Sequence, residues 1–177
     1  MPVAVTRPRR ATAALGPDTA ACPSPAVPLL SGHPKGGGGQ TDRRPVFWKI
    51  FAGEGHLTTA AARMGFRTLP PIDLKSGAHH DSARPAVLSQ ILTIIRSGQV
   101  DWIHLGTPCT TFCRFFVMFA KECSRTMADP AGSGQSAREV LGNLLLDISC
   151  RIVRLAMKVG TWWTLENPRS SLLWLMP

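Results

Sequence analysis

No Cys-x-x-Cys spacing occurs in this chain, and its five cysteines, Cys22, Cys109, Cys113, Cys123 and Cys150, are odd in number. There is also no secretory signal. Together these absences argue against a disulfide framework and for an intracellular, reducing compartment, nucleus and cytoplasm being indistinguishable. Cys109 and Cys113 are one helical turn apart, but no second ligand pair accompanies them at a suitable spacing, so no zinc or other metal site is expected. No apolar run approaches the roughly 20 residues of a membrane span, so no membrane partner is expected either. Acidic side chains are scarce: 11 Asp and Glu face 20 Lys and Arg, a formal net charge of +9. Six of those basic residues and only two acids, Asp18 and Asp42, lie in residues 1–45, leaving 14 basic and nine acidic residues, a net +5, in 46–177. That balance suits a polyanionic partner such as nucleic acid, and suits equally a diffusely charged solvated surface.

What is abundant divides the chain in two. Residues 1–45 hold eight of the 15 prolines and six of the 16 glycines, Gly36 to Gly39 in a row, and show no hydrophobic periodicity. This composition reads as a disordered leader. Arg7, Arg9 and Arg10 faintly suggest an organelle-targeting peptide, but the prolines oppose the amphipathic helix that such peptides form. From Val46 onward strand and helix patterns alternate. Strands are expected at 46–51, 66–72, 100–105 and 161–165. Helices are expected at 57–65, 85–97 and 137–158, with another short one after Pro168. Ser136 and Glu139 have the spacing of a capping box for the 137–158 helix. Its apolar face is read as Val140, Leu141, Leu144, Leu145, Ile148, Ile152 and Leu155. Residues 110–134 read as a long loop with broken helix. The alternation implies an α/β fold, a mostly parallel sheet with flanking helices.

In such sheets ligands bind beyond the carboxyl ends of the strands. Gly53, Asp73, Cys109 and Glu166 each follow a predicted strand, so all four fall on one edge. The turn Phe51-Ala52-Gly53-Glu54-Gly55 joins a strand to a helix. Its two glycines permit a sharp turn and a close backbone approach to a ligand at the helix N-terminus. By itself this is a weak signal, because tight strand–helix turns without a ligand are common. Asp73, 20 residues after Gly53, stands where an acid grips ribose hydroxyls in dinucleotide sites, or is a strand-end cap. Cys109 is a nucleophile or a small buried hydrophobe. Glu166 is a functional acid or a carboxylate placed on a helix dipole. Asp81 is a surface or capping aspartate unless it faces a ligand amine. Arg114 meets a phosphate or simply solvent. His79 and His80 read as solvated loop residues, and Trp162 and Trp163 as packing around their strand.

Three segments, Phe51-Ala52-Gly53-Glu54-Gly55, Gly106-Thr107-Pro108-Cys109 and Leu165-Glu166-Asn167-Pro168, resemble the cofactor, nucleophile and glutamate motifs of the S-adenosylmethionine-dependent cytosine-C5 DNA methyltransferases, and in the same order. The short, divergent phage-like members are nearest in flavour. The resemblance spans residues 46–177 but its motifs cover only about twenty positions. It implies a Rossmann-like methyltransferase fold, S-adenosylmethionine as cofactor, DNA as partner, and methyl transfer to C5 of cytosine. Cytosine C5 is a poor nucleophile, and attack by a thiolate on C6 makes it electron-rich enough to accept a methyl group. The resemblance gives Cys109 that role. It gives Glu166 the task of holding a proton for ring N3, which needs a raised pKa. Phe51, Gly53, Gly55, Asp73 and Asp81 would bind cofactor. Pro108 would help present the thiol, Asn167 and Pro168 would fix the turn carrying Glu166, and Arg114 would support the substrate. The 110–134 segment would close over an extruded base.

The sequence departs from the family where Gly55-His56 replaces Gly-Gly, Pro108-Cys109-Thr110 replaces Pro-Cys-Gln, and Pro168 follows Glu166-Asn167 in place of valine. Family members continue beyond the glutamate motif with an arginine-bearing motif, a target-recognition domain and closing strands. A partial catalytic domain is therefore expected over 46–177, lacking its C-terminal strands and open to a complementing chain or domain. The alternative is a non-catalytic Rossmann-like remnant that acts as a binding module, and a weaker one is a methyltransferase acting on RNA or a free base.

Overall fold

The computed structural model describes residues 44–177, so the leader expected over 1–45 falls almost entirely outside the described residues. Strand β1, Val46–Ile50, has the β-branched and aromatic character of a strand buried on both faces, and Phe47, Trp48 and Ile50 are buried. The turn after it leads into α1, His56–Arg63. Strand β2 is much shorter than its sequence suggests: only Arg67–Thr68 pairs with β1 as a ladder. Pro70 and Pro71 have no N–H to give, which interrupts the pairing. It resumes as an isolated bridge between Ile50 and Ile72.

Two single-turn 3-10 helices, Leu74–Ser76 and Ala78–His80, lead to α2, Pro85–Arg96, which has proline in its first turn. Then come β3, Trp102–Leu105, a short α3, Arg114–Phe119, a long α4, Ala137–Val159, and β4, Trp162–Leu165. A last 3-10 turn spans Leu172–Leu175. The four strands form one parallel sheet in the order β2-β1-β3-β4. The fold is thus α/β with an all-parallel sheet and flanking helices. Among the described residues β4 pairs with β3 alone.

Helices α2 and α4 cover one sheet face. Trp48, Ile50, Ile103 and Leu105 from the strands meet Val87, Ile91 and Ile95 of α2 and Ile148, Ile152 and Ala156 of α4. Each fully buried isoleucine contributes on the order of 1.5–3 kcal/mol relative to exposure. On the opposite face Phe47, Phe66 and Trp102 make edge-to-face contacts at 5.5–6.2 Å, and α1 packs on β1 and β2.

Two expectations for α4 are corrected. The capping box does not form: the Ser136 side chain makes no cap hydrogen bond. Glu139 instead turns inward, fully buried, and accepts from the Ser124 N–H and hydroxyl, both at 2.7 Å, and from the Arg125 N–H. The apolar face is also rotated in the first turns. Val140, Leu141 and Leu144 are exposed, while Glu139, Gly142 and Leu146 are buried. The cause is the 110–134 segment, which packs on those turns with polar groups. Arg125 is its anchor. The guanidinium lies 3.8 Å from the centre of the Phe112 ring and donates to Thr111, Asn143 and the carbonyls of Ala131 and Glu139. The segment also contains α3 and is therefore an anchored excursion. The end of the chain is partly buried too, since Leu172 and Leu173 pack on Phe112 and Leu146 while Trp174 and Leu175 are exposed.

Candidate active site at the carboxyl edge of the sheet

The order β2-β1-β3-β4 reverses direction between β1 and β3. The connections from these two strands depart to opposite sides, which opens a crevice between them at their carboxyl ends. A cleft of about 550 Å³ lies there, within the roughly 300–1,000 Å³ typical of small-molecule sites. Three loops line it: Phe51 to Gly55 after β1, Gly106 to Thr110 after β3, and Glu166 to Pro168 after β4.

The β1 loop has an unusual backbone. Gly53 and Gly55 have φ of 57° and 74°, which glycine alone adopts freely, and Phe51 has φ of 58°, the only positive φ outside glycine among the described residues. Such a conformation costs on the order of 1–3 kcal/mol at a non-glycine residue and persists only where its surroundings impose it. Here the Ala52 N–H donates to the Ile72 carbonyl at 3.1 Å, and the Gly53 N–H to Asp73 Oδ2 at 2.7 Å. The loop also lies against the β3 loop: a Cβ on Gly106 would stand 2.8 Å from the Phe51 carbonyl oxygen. Gly55 and His56, at the start of α1, border the cleft, where the helix dipole favours a negatively charged ligand group.

The β3 loop is fastened from two sides. Thr107 Oγ1 shares a 2.8 Å hydrogen bond with Ser149 of α4, and the Thr107 carbonyl accepts from Asn167 Nδ2 at 2.8 Å. That contact fixes the orientation of the Asn167 amide, because only its NH2 can donate to a carbonyl. Asn167 Oδ1 is then left buried and without a protein donor, although Asn167 itself borders the cleft. The Cys109 carbonyl accepts from the N–H groups of Phe112 and Cys113, each at 2.9 Å, so the thiol stands at the start of a tight turn. Burial pushes that thiol above its ordinary pKa, and Cys113 and the Glu166 carboxylate push it further the same way. The resting group is therefore a thiol at neutral pH.

Glu166 continues the ladder, its N–H donating to the Leu105 carbonyl at 2.9 Å, and its side chain is half exposed. One carboxylate oxygen, Oε2, sits 3.2 Å from His104 Nε2. His104 Nδ1 is 2.9 Å from Thr164 Oγ1. Burial holds the His104 pKa below its ordinary value, and Lys49 adds to that, overcoming the opposing pull of Glu166. His104 is thus neutral at pH 7.

Of the residues singled out in the sequence, Phe51, Gly53, Gly55, Pro108, Cys109, Glu166, Asn167 and Pro168 all line the cleft. Asp73, Asp81 and Arg114 do not. Both Asp73 oxygens accept backbone N–H groups, of Gly53 and Lys75, so Asp73 acts on the cleft through the β1 loop. Asp81 accepts from the Ala83 N–H and shapes the entry to α2. Arg114 is exposed at the start of α3. The His79 and His80 rings lie 4.4 Å apart, tilted at 57° to each other, and no cluster able to hold a metal ion occurs among the described residues. No helix there is long and apolar enough to cross a membrane.

Lys49 and His104 were not anticipated. A signal for them does exist: each is a polar residue in an otherwise apolar run that reads as a buried parallel strand, where such residues are rare without a purpose. They are paired neighbours across β1 and β3. Comparison of the chain with protein-family models, curated proteins and solved structures returns no match.

Proposed function

We propose that the chain carries the catalytic centre of an S-adenosylmethionine-dependent cytosine-C5 methyltransferase, with a Rossmann-like fold, and that DNA is the substrate. The observation that carries this reading is the convergence, in one cleft at the β1/β3 crevice, of a strained glycine turn, a half-buried cysteine and a half-exposed glutamate from three separate loops. The cofactor would supply an electrophilic methyl group on a sulfonium. The β1 loop and the N-terminus of α1 would take its methionine end, the ammonium and carboxylate finding main-chain groups and the helix dipole.

In this reading Cys109 Sγ bonds to C6 of an extruded cytosine after losing its proton, and the ring's electron pair is displaced toward C5 and N3. The thiol's proton passes through solvent to Glu166, which then stabilises the charge that builds on the ring by donating that proton toward N3 and accepting from the exocyclic amine. C5 then takes the methyl group; the C5 proton passes to solvent water, the N3 proton returns to Glu166, and expulsion of the Cys109 thiolate restores the ring. Sulfur has to be deprotonated first, and its resting state is a thiol. Thiol activation therefore accompanies substrate binding.

Covalent trapping tests the proposal. The full chain is incubated with S-adenosylmethionine and DNA containing 5-fluorocytosine, whose fluorine blocks the final proton loss. A stable adduct on Cys109, absent from Cys109→Ser, is the expected result. The second reading, a non-catalytic binding module, is favoured by the unactivated thiol. It gains if DNA and cofactor both bind and no adduct forms.

A further inference from the structure

Behind Glu166 runs a line of polar side chains on the sheet face opposite α2 and α4. Trp102 Nε1 lies 3.2 Å from Thr164 Oγ1, which lies 2.9 Å from His104 Nδ1, and His104 Nε2 lies 3.2 Å from Glu166 Oε2. The register of β3 and β4 builds this line, because Trp102 pairs with Trp162 and His104 with Thr164 in adjacent parallel strands. His104 and Thr164 are both buried, so the partners of each polar atom matter.

Donor chemistry gives the line a direction. An indole N–H can only donate, so Trp102 uses a lone pair of the Thr164 hydroxyl. The hydroxyl proton is then free to point at His104 Nδ1, which accepts it. A neutral imidazole with Nδ1 as acceptor carries its proton on Nε2, and that N–H points at Glu166. The other tautomer would leave the Thr164 proton without this acceptor and set the Nε2 lone pair against a carboxylate oxygen.

Resting on the reading above, we infer that His104 is a positioning residue for Glu166, locked as the Nε2–H tautomer by donation from Trp102 through Thr164. Its bond fixes Oε2 against the sheet with a lone pair to spare for the substrate's amine, and leaves Oε1 to carry the proton toward the ring nitrogen. A glutamate on a loop with its side chain half in solvent needs such a brace to hold one rotamer. The ligand this arrangement suits is a planar heterocycle whose edge sets a proton acceptor beside an N–H donor.

The tautomer is read directly by two-bond proton–nitrogen NMR of the histidine rings in the full-length protein, with His104→Asn assigning the signal. The expected spectrum shows a protonated Nε2 and an unprotonated Nδ1. Thr164→Val should abolish the preference and Thr164→Ser retain it. Glu166→Ala should leave the tautomer but speed solvent exchange of the Nε2 proton severalfold. A protonated Nδ1, a tautomer indifferent to Thr164→Val, or an exchange rate indifferent to Glu166→Ala would overturn the inference. If Thr164→Val fails to fold, Trp102→Phe removes the first donor of the line instead. In the trapping assay Thr164→Val should slow adduct formation about tenfold at saturating DNA, with DNA affinity within about twofold, and Thr164→Ser should restore it. A Thr164→Val rate equal to wild type overturns the positioning role. Failure of every protein, wild type included, to form adduct overturns the methyltransferase reading, while the ring spectra still decide the relay.

Discussion

The Gly53 N–H donates a 2.7 Å hydrogen bond to Oδ2 of Asp73, and so the end of β2 shapes the loop that follows β1. The same carboxylate takes the Lys75 N–H on its other oxygen. Asp73 therefore governs the cleft by holding a glycine turn in its left-handed conformation. In Asp73→Asn the amide can serve only one of the two N–H groups, and in Asp73→Ala it serves neither. Calorimetry should show S-adenosylmethionine affinity falling in both, by about tenfold in Asp73→Ala, the larger loss. Unchanged affinity in Asp73→Ala would mean that the turn keeps its shape without this brace.

Gly106 tests the contact between the two loops that flank the crevice. Its missing side chain leaves room for the Phe51 carbonyl, which a Cβ would meet at 2.8 Å. Backbone is on both sides, so no rotamer change relieves the clash. Gly106→Ala should destabilise the fold by about 1–3 kcal/mol. It should also impair both cofactor binding and trapping, because it separates the glycine turn from Cys109. A melt and a binding isotherm identical to wild type would show that the loops part at little cost.

Acid should loosen the 110–134 segment before the sheet. Burial raises the Glu139 pKa, but hydrogen bonds from the Ser124 hydroxyl and N–H, with Cys123 and the Arg125 charge, outweigh it and hold the group below its ordinary 4.5. A carboxyl depressed in the folded state contributes stability that is fully present above its unfolded pKa and is lost as pH falls through the folded one. Thermal stability should thus fall as pH drops below about 4.5. In Glu139→Gln that part of the pH dependence should disappear, together with stability at pH 7. Hydrogen exchange at Ser124 and Arg125 reports the same event locally. An unaltered acid limb in Glu139→Gln would place the transition on other carboxylates.

Most of the sheet was legible because its strands are short apolar runs punctuated by glycine, and because glycine, cysteine and glutamate each followed one of them. What escaped is instructive. Strand β2 shrank because the consequence of Pro70-Pro71 for pairing depends on where β1 lies, which local pattern does not contain. The exposed face of Val140, Leu141 and Leu144 was misread because periodicity gives a helix's apolar stripe without saying which neighbour it meets. Glu139 carries a capping signature that Ser124, 15 residues earlier, overrides with its N–H and hydroxyl. The role of His104 is silent in the sequence because its meaning comes from Thr164 and Glu166, about 60 residues away, and appears only when β3 and β4 are set side by side.

Cys109 yields the most direct chemical prediction. Burial, then Cys113, outweigh a backbone hydrogen bond that pulls the other way and, with a smaller push from the Glu166 carboxylate, hold its thiol above the ordinary value of 9.0. In the free protein, reaction with a small alkylating agent should be slow at pH 7 and still be rising at pH 9, since the thiolate is the nucleophile. Cys109→Ser removes the corresponding modified peptide, which mass spectrometry identifies against Cys22, Cys113, Cys123 and Cys150. If the site works as proposed, DNA with bound cofactor must lower the barrier to losing that proton. Trapping by 5-fluorocytosine DNA should therefore be less steeply dependent on pH between 7 and about 9 than alkylation of the free protein. Glu166→Gln separates the contributions. It removes a neighbouring negative charge, so alkylation at pH 8 should speed up modestly, while trapping should fall by about a hundredfold because the ring loses its proton donor. Parallel changes in the two reactions would mean that Glu166 acts on the thiol alone and has no part in activating a base.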